Sequence, residues 1–194
     1  MYDQDVEKVI IPHQRIAARV EELAGEIMRD HAAADGSGGE VTIIPVLTGA
    51  MVFAADLIRR LRMRMKMGYV AVSSYPGRSV RSRGPVVVTS ELGDVTGRPV
   101  LLVDDIIDTG ATLSVVQRMI AAMKPAALRT CVLLKKNVAR RAAVSVEYVG
   151  FDIPDVFVVG YGLDFGDYYR NLPDIVTLKP AAMGAAGSGA DGRR

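Results

Sequence analysis

The sequence predicts an α/β protein, a mainly parallel twisted sheet flanked by helices, on three observations. Short apolar runs recur along the chain, stretches of helical periodicity alternate with them, and glycine, aspartate and threonine mark several junctions. Strands linked through helices join by right-handed crossovers, which yields a parallel sheet covered on both faces. In order, Ile16, Val20, Leu23 and Ile27 share one helical face, predicting a helix to about Met28. DGSGG at 35–39 is a turn, and VTIIPVL at 41–47 is a short buried strand interrupted by Pro45. Residues 50–61 have helical composition, while 68–73 and 86–89 read as strands on either side of the loop SYPGRSVRSRGP. VLLV at 100–103 is a buried strand, DDIIDTGAT is the turn after it, and Leu113–Met123 is a helix halted before Pro125. LRTCVLL at 128–134 and DVFVVGY at 155–161 supply further strands. Ligands of such a sheet belong at the carboxyl ends of its strands.

Composition limits the classes of partner. A chain of 194 residues with 49% hydrophobic content buries one substantial core. Residues 1–180 are expected to form a single domain. The small, low-complexity residues 181–194 are expected to be a disordered tail. A net charge of +2 implies neither a nucleic-acid nor a membrane partner. The basic groups Arg59, Arg60, Arg62, Arg64 and Lys66, and Arg78, Arg81 and Arg83, lack interleaved aromatics. The longest uncharged stretch, residues 41–55, falls short of the roughly 20 apolar residues of a membrane span. MYDQDVEKV has no secretory pattern, and the lone Cys131 fits a reducing compartment, so a cytoplasmic setting is expected. His13 and His31 lack metal-ligand spacing and receive no role.

The chemistry concentrates in VLLVDDIIDTGAT, residues 100–112. Thr109, Gly110, Ala111 and Thr112 open a helix, where outward-pointing amides and two hydroxyls form an anion cradle without lysine. Asp104, Asp105 and Asp108 stand beside it and would repel a bare phosphate. A ribose resolves the conflict: its hydroxyls, directly or through a hydrated magnesium ion, meet Asp104 and Asp105 while its 5'-phosphate rests in the turn.

This segment resembles the ribose-phosphate signature of type I phosphoribosyltransferases, and its DDIIDTG form is similar to the hypoxanthine-guanine branch of that family. EKVIIPHQRI, VSSYPG, VLLKKN and VGFDIPDVFVVGYGLDFGDYYRNLP extend the resemblance from about Val9 to Thr177. It implies a small hood formed by the terminal segments. It also implies transfer of a phosphoribosyl group from phosphoribosyl pyrophosphate to a 6-oxopurine base, with Mg2+ and no organic cofactor. Asp108 would be the general acid/base at purine N7, a group type that contributes about 10² to 10⁴ in rate.

By the same resemblance, Lys135 donates to the 6-oxo group, with neighbouring Lys136 read as a solvated charge. Phe157 stacks on the base, Val158 offers its carbonyl, and Asp164 joins Asp104 and Asp105 near the metal. Arg170 contacts pyrophosphate, whose oxygens its planar fork suits. Ser74 and Tyr75 travel on a flap that excludes water. Leu47, Thr48 and Gly49 correspond to a Leu-Lys-Gly loop with a non-proline cis peptide, so Thr48 and Gly49 bind pyrophosphate with one expected charge missing. Asp104 stands where glutamate is commoner. A homodimer or homotetramer is implied. The rival readings are a phosphoribosyl-pyrophosphate-sensing regulator that binds nucleic acid, and a transferase for xanthine or a pyrimidine.

Overall fold

The structure, a computed structural model, describes residues 4–35, 40–73, 86–138 and 143–186. Nine strands and four helices run in the order β1 (Val6–Ile11), α1 (His13–Asp35), β2 (Glu40–Leu47), α2 (Met51–Ile58), β3 (Arg64–Met67), β4 (Tyr69–Ser73), β5 (Val86–Glu91), β6 (Pro99–Ile107), α3 (Ala111–Ala122), β7 (Ala127–Lys136), β8 (Tyr148–Ile153), β9 (Ile175–Leu178) and α4 (Pro180–Ala186) among the described residues. The main sheet is ordered β5-β4-β2-β6-β7-β8, with β3 also pairing β2. Only β4 and β5 pair antiparallel in it. The expected α/β architecture therefore stands, and β6 lies at its centre.

Both faces of the sheet are covered. Ile16, Val20, Leu23 and Ile27 of α1 and Phe53 and Leu57 of α2 bury one face together with Leu101 and Val103. Leu113, Val116 and Ile120 of α3 bury the other with Ile44, Leu102 and Val132. Near-continuous apolar runs such as IIPVL and VLLV are what a strand buried on both faces requires. The edge strand β8 is shielded by Arg19 of α1, which donates to the carbonyls of Val149 at 2.9 Å and Gly150 at 3.1 Å.

The hood is a two-stranded antiparallel sheet of β1 and β9, close to the two ends of the chain. Val159, Val176, Leu178 and Ala182 give it a small core of its own. Three expectations need correction. Residues 181–186 belong to α4 rather than to a disordered tail, because Ala182 packs under the hood; residues 187–194 lie outside the described residues. β6 runs on through Asp104 and Asp105 to Ile107, so the turn begins only at Asp108. DVFVVGY is not a sheet strand: it follows β8 and bends at Gly160, which has positive φ, leaving only isolated bridges from Val159 to Val176 and from Gly160 to Leu163. The edge strand that the sequence concealed is YVGFDI, residues 148–153.

Leu101 is fully buried on the central strand. Leu101→Ala should cost about 2–5 kcal/mol in urea unfolding, a sum of lost transfer energy and cavity. A loss below about 1 kcal/mol would contradict the packing described.

Candidate active site

The central strands β2, β6 and β7 run parallel and end along one rim, at Leu47, Ile107 and Lys136. A cleft of about 470 Å³ opens there. Its walls include Asp104, Asp105, Asp108, the turn from Thr109 to Thr112, Leu47 to Gly49, Lys136, Phe157, Val158, Asp164 and Arg170. Its position outside the strands' carboxyl ends is the one the sheet topology dictates.

Asp104 and Asp105 occupy the last turn-facing part of β6 and bring their carboxyls into the cleft wall. Asp104 is buried; its Oδ1 accepts from the Asp105 amide at 3.0 Å, and Asp105 Oδ1 accepts from the Ile106 amide at 2.7 Å. Burial pushes both carboxyls above the usual range, Asp104 the further because Asp105 adds a like charge beside it. For Asp105 the hydrogen bonds and the charge of Arg170 work against the rise. A pair so placed calls for a cation or for hydroxyl donors.

The anion cradle follows directly. Gly110 takes φ 82°, a left-handed conformation that glycine adopts without strain, and turns the chain into α3. No side chain caps α3, so its first amides point into the cleft beside Thr109 and Thr112. Asp108 sits between cradle and base side, half exposed, with Lys136 Nζ 3.5 Å from its Oδ2.

The structure separates the two adjacent lysines. Lys135 lies opposite Asp152 in the β7–β8 register and pairs with it at 2.6 Å, outside the cleft wall. Lys136, only 12% exposed, lines the cleft and pairs with Asp155 at 3.1 Å. Successive strand residues face opposite ways, so a one-residue shift in the reading picks the wrong lysine. Of the two, Lys136 and not Lys135 is part of the cleft wall.

On the opposite wall the Leu47–Thr48 peptide is cis. Gly49 presses so closely on Asp105 that a Cβ would come 1.8 Å from a carboxylate oxygen. Arg170 Nη1 donates to the Gly162 carbonyl at 2.8 Å, and Nη2 pairs with Asp164 at 2.7 Å. Asp164 also accepts the Asp167 amide at 2.9 Å, and among the described residues no three acidic or histidine side chains converge as a metal cage. Asp104, Asp105 and Asp164 all line the cleft. Phe157 is 49% exposed at the cleft and meets Phe165 edge-on at 5.6 Å. Val158 is buried next to it. Ser74 and Tyr75 lie outside the described residues.

A buried acidic pair, an uncapped helix start and an exposed aromatic ring thus share one cleft. The phosphoribosyl transferase domain matches residues 8–166. The hypoxanthine-guanine phosphoribosyltransferase of Mycobacterium avium is 43% identical over 182 residues, 93% of this chain and 89% of the relative. That of Bacillus subtilis is 40% identical, covering 93% of this chain and 98% of the relative. A substituted hypoxanthine phosphoribosyltransferase from Trypanosoma cruzi, solved in complex with the product IMP, matches with a TM-score of 0.85 at 34% identity over 98% of both chains. The chain belongs to the phosphoribosyl transferase family, in its hypoxanthine-guanine branch.

Because the carboxyl of Asp104 titrates higher when folded than the unfolded value of about 3.9, the folded state holds more protons between the two values and stability falls as pH rises through them. Asp104→Asn removes that loss. Its melting temperature without ligand should gain progressively on the wild type as pH rises above the unfolded aspartate value of about 3.9; a pH-independent difference would contradict the burial described.

Proposed function

We propose that the cleft moves the 5-phosphoribosyl group of phosphoribosyl pyrophosphate onto N9 of hypoxanthine or guanine, releasing pyrophosphate and IMP or GMP. The chain is a phosphoribosyltransferase of purine salvage. The observation that carries the reading is the run from Asp104 to Thr112, in which a buried acidic pair abuts an uncapped helix start. It suits a ribose ring and its 5'-phosphate, and little else of that polarity.

In this reading Asp104 and Asp105 hold the ribose hydroxyls, and the amides from Gly110 to Thr112 hold the 5'-phosphate. Arg170 and the Thr48–Gly49 amides take the pyrophosphate, whose growing negative charge is the main electrostatic demand of the reaction. Phe157 stacks under the base, Val158 offers its carbonyl to the purine edge, and Lys136 donates to the 6-oxo group. Such a donor favours a carbonyl over an amino group. Asp108 holds or yields the proton at N7 as the bond at N9 forms.

The family works with a divalent metal. Mg2+ is the ion proposed here: it keeps waters and takes one or two carboxylates plus substrate phosphates, which suits a pair such as Asp104 and Asp105 without a protein cage. When bound it would neutralise charge on the diphosphate. Asp164 is placed in its outer surroundings. A homo-oligomer and a cytoplasmic location complete the proposal; among the described residues no helix is long and apolar enough to cross a membrane.

The deciding experiment measures pyrophosphate release with Mg2+, phosphoribosyl pyrophosphate and, separately, hypoxanthine, guanine, xanthine, adenine and uracil. Release with hypoxanthine and guanine is expected; release with uracil or adenine alone would overturn the base assignment. Asp108→Asn should cut turnover about 10² or more while leaving phosphoribosyl pyrophosphate affinity intact. Near-normal turnover removes it from proton transfer. Lys136→Ala should lose preference for hypoxanthine over adenine and Lys135→Ala should keep it, and the reverse result would restore Lys135.

A further inference from the structure

Residues 160–162 form a run of left-handed backbone, with φ of 96° at Gly160, 50° at Tyr161 and 103° at Gly162. Space explains the two glycines. A Cβ on Gly160 would lie 2.0 Å from the Asp174 carbonyl oxygen, and one on Gly162 would lie 2.3 Å from that of Gly49. The tyrosine between them gains nothing from this backbone, which glycine would adopt with less strain. What tyrosine adds is a phenol whose O–H donates to Asp56 Oδ2 at 2.6 Å.

Asp56 belongs to α2, the helix that leaves the Thr48–Gly49 loop, and its other carboxylate oxygen meets Arg59. Tyr161 also donates its amide to the Leu172 carbonyl at 2.7 Å, and Gly162 donates its amide to the Arg170 carbonyl at 2.9 Å. Arg170 returns a hydrogen bond from its guanidinium to the Gly162 carbonyl at 2.8 Å. One strap thus carries Arg170 at its far side, touches Gly49 at Gly162, packs on α2 through Tyr161 and Leu163, and is hydrogen-bonded to that helix by the Tyr161 phenol. Tyr161 and Asp56 are not part of the cleft wall and line a neighbouring hollow that shares Arg170 with it.

We infer that Tyr161 and Asp56 are a positioning pair that sets the separation of Arg170 from the Thr48–Gly49 loop and thereby the affinity for phosphoribosyl pyrophosphate. The inference rests on the reading of this cleft as a phosphoribosyltransferase site. Its leverage comes from Thr48: with no lysine in that loop, Arg170 and Lys136 are the basic side chains of the cleft wall among the described residues, and Lys136 is on the base side. The diphosphate therefore depends on Arg170 standing at the right distance from the loop amides. Burial and the adjacent carboxylate push the Tyr161 phenol up, so it remains a donor throughout the neutral range.

The test is steady-state kinetics of the full chain with hypoxanthine, alongside calorimetric binding of phosphoribosyl pyrophosphate with Mg2+ and a melting curve for each variant. Tyr161→Phe should raise KM and Kd for phosphoribosyl pyrophosphate about three- to tenfold, the range of one net hydrogen bond, with kcat and the KM for hypoxanthine within about twofold. Asp56→Asn keeps an acceptor and should remain near wild type, Asp56→Ala should match Tyr161→Phe, and the double variant should be no worse than either alone. Equal Kd in Tyr161→Phe and wild type overturns the pairing, as does a joint decline of kcat and both KM values that follows the melting temperature. Should Tyr161→Phe not fold, the contrast of Asp56→Asn with Asp56→Ala decides. A wild type that binds phosphoribosyl pyrophosphate yet turns over no base defeats the functional reading while leaving the Kd comparison valid.

Discussion

The site depends on two neighbouring carboxyl groups carried out of solvent at the end of the central strand. A folded chain gains nothing from holding Asp104 and Asp105 there: desolvation and mutual repulsion oppose their ionisation, and no lysine or arginine pairs directly with Asp104 among the described residues. The arrangement becomes favourable only when hydroxyl donors or a cation complete it. That unmet demand, beside an uncapped helix start, is what the proposed ribose-phosphate site rests on.

Everything around the pair keeps it in place at close quarters. β6 is clamped between β2 and β7, with apolar layers from α1 and α2 on one side and α3 on the other. Gly49 lies against Asp105, Gly162 lies against Gly49, and Arg170 bonds to Gly162, so cleft floor, loop and arginine form one contiguous stack. The hood, built from β1 and β9, anchors the segment that brings Phe157, Asp164 and Arg170 over the strand ends. This end of the cleft is thereby held by backbone packing rather than by additional charge, which accords with threonine at position 48.

How much of this was legible in the sequence varied with the kind of signal. The run from Val100 to Thr112 disclosed a strand and a helix joined at a glycine, though the strand runs further than its apolar residues indicate, because aspartates do not by themselves mark its end. The parallel core strands were legible through their doubly buried patterning. The choice of Lys135 over Lys136 failed because pleat direction changes with every residue and depends on register, which local composition does not encode. DVFVVGY misled because its apolar residues serve the cleft and the hood, while the less apolar YVGFDI owes its strand to β7 and to Arg19 of α1. The hood strands pair residues from opposite ends of the chain, a long-range fact with no local mark. The fastening of Tyr161 to Asp56 was equally silent, since they are far apart in sequence and nothing local marks them as partners.

The most direct measurement is a crystal structure of the protein grown with IMP. The account requires the 5'-phosphate on the amides of Gly110, Ala111 and Thr112, the ribose hydroxyls against Asp104 and Asp105, and the purine on Phe157 with its 6-oxo group facing Lys136. A nucleotide seated elsewhere, or one whose phosphate avoids that helix start while Asp104 faces only protein, would contradict it.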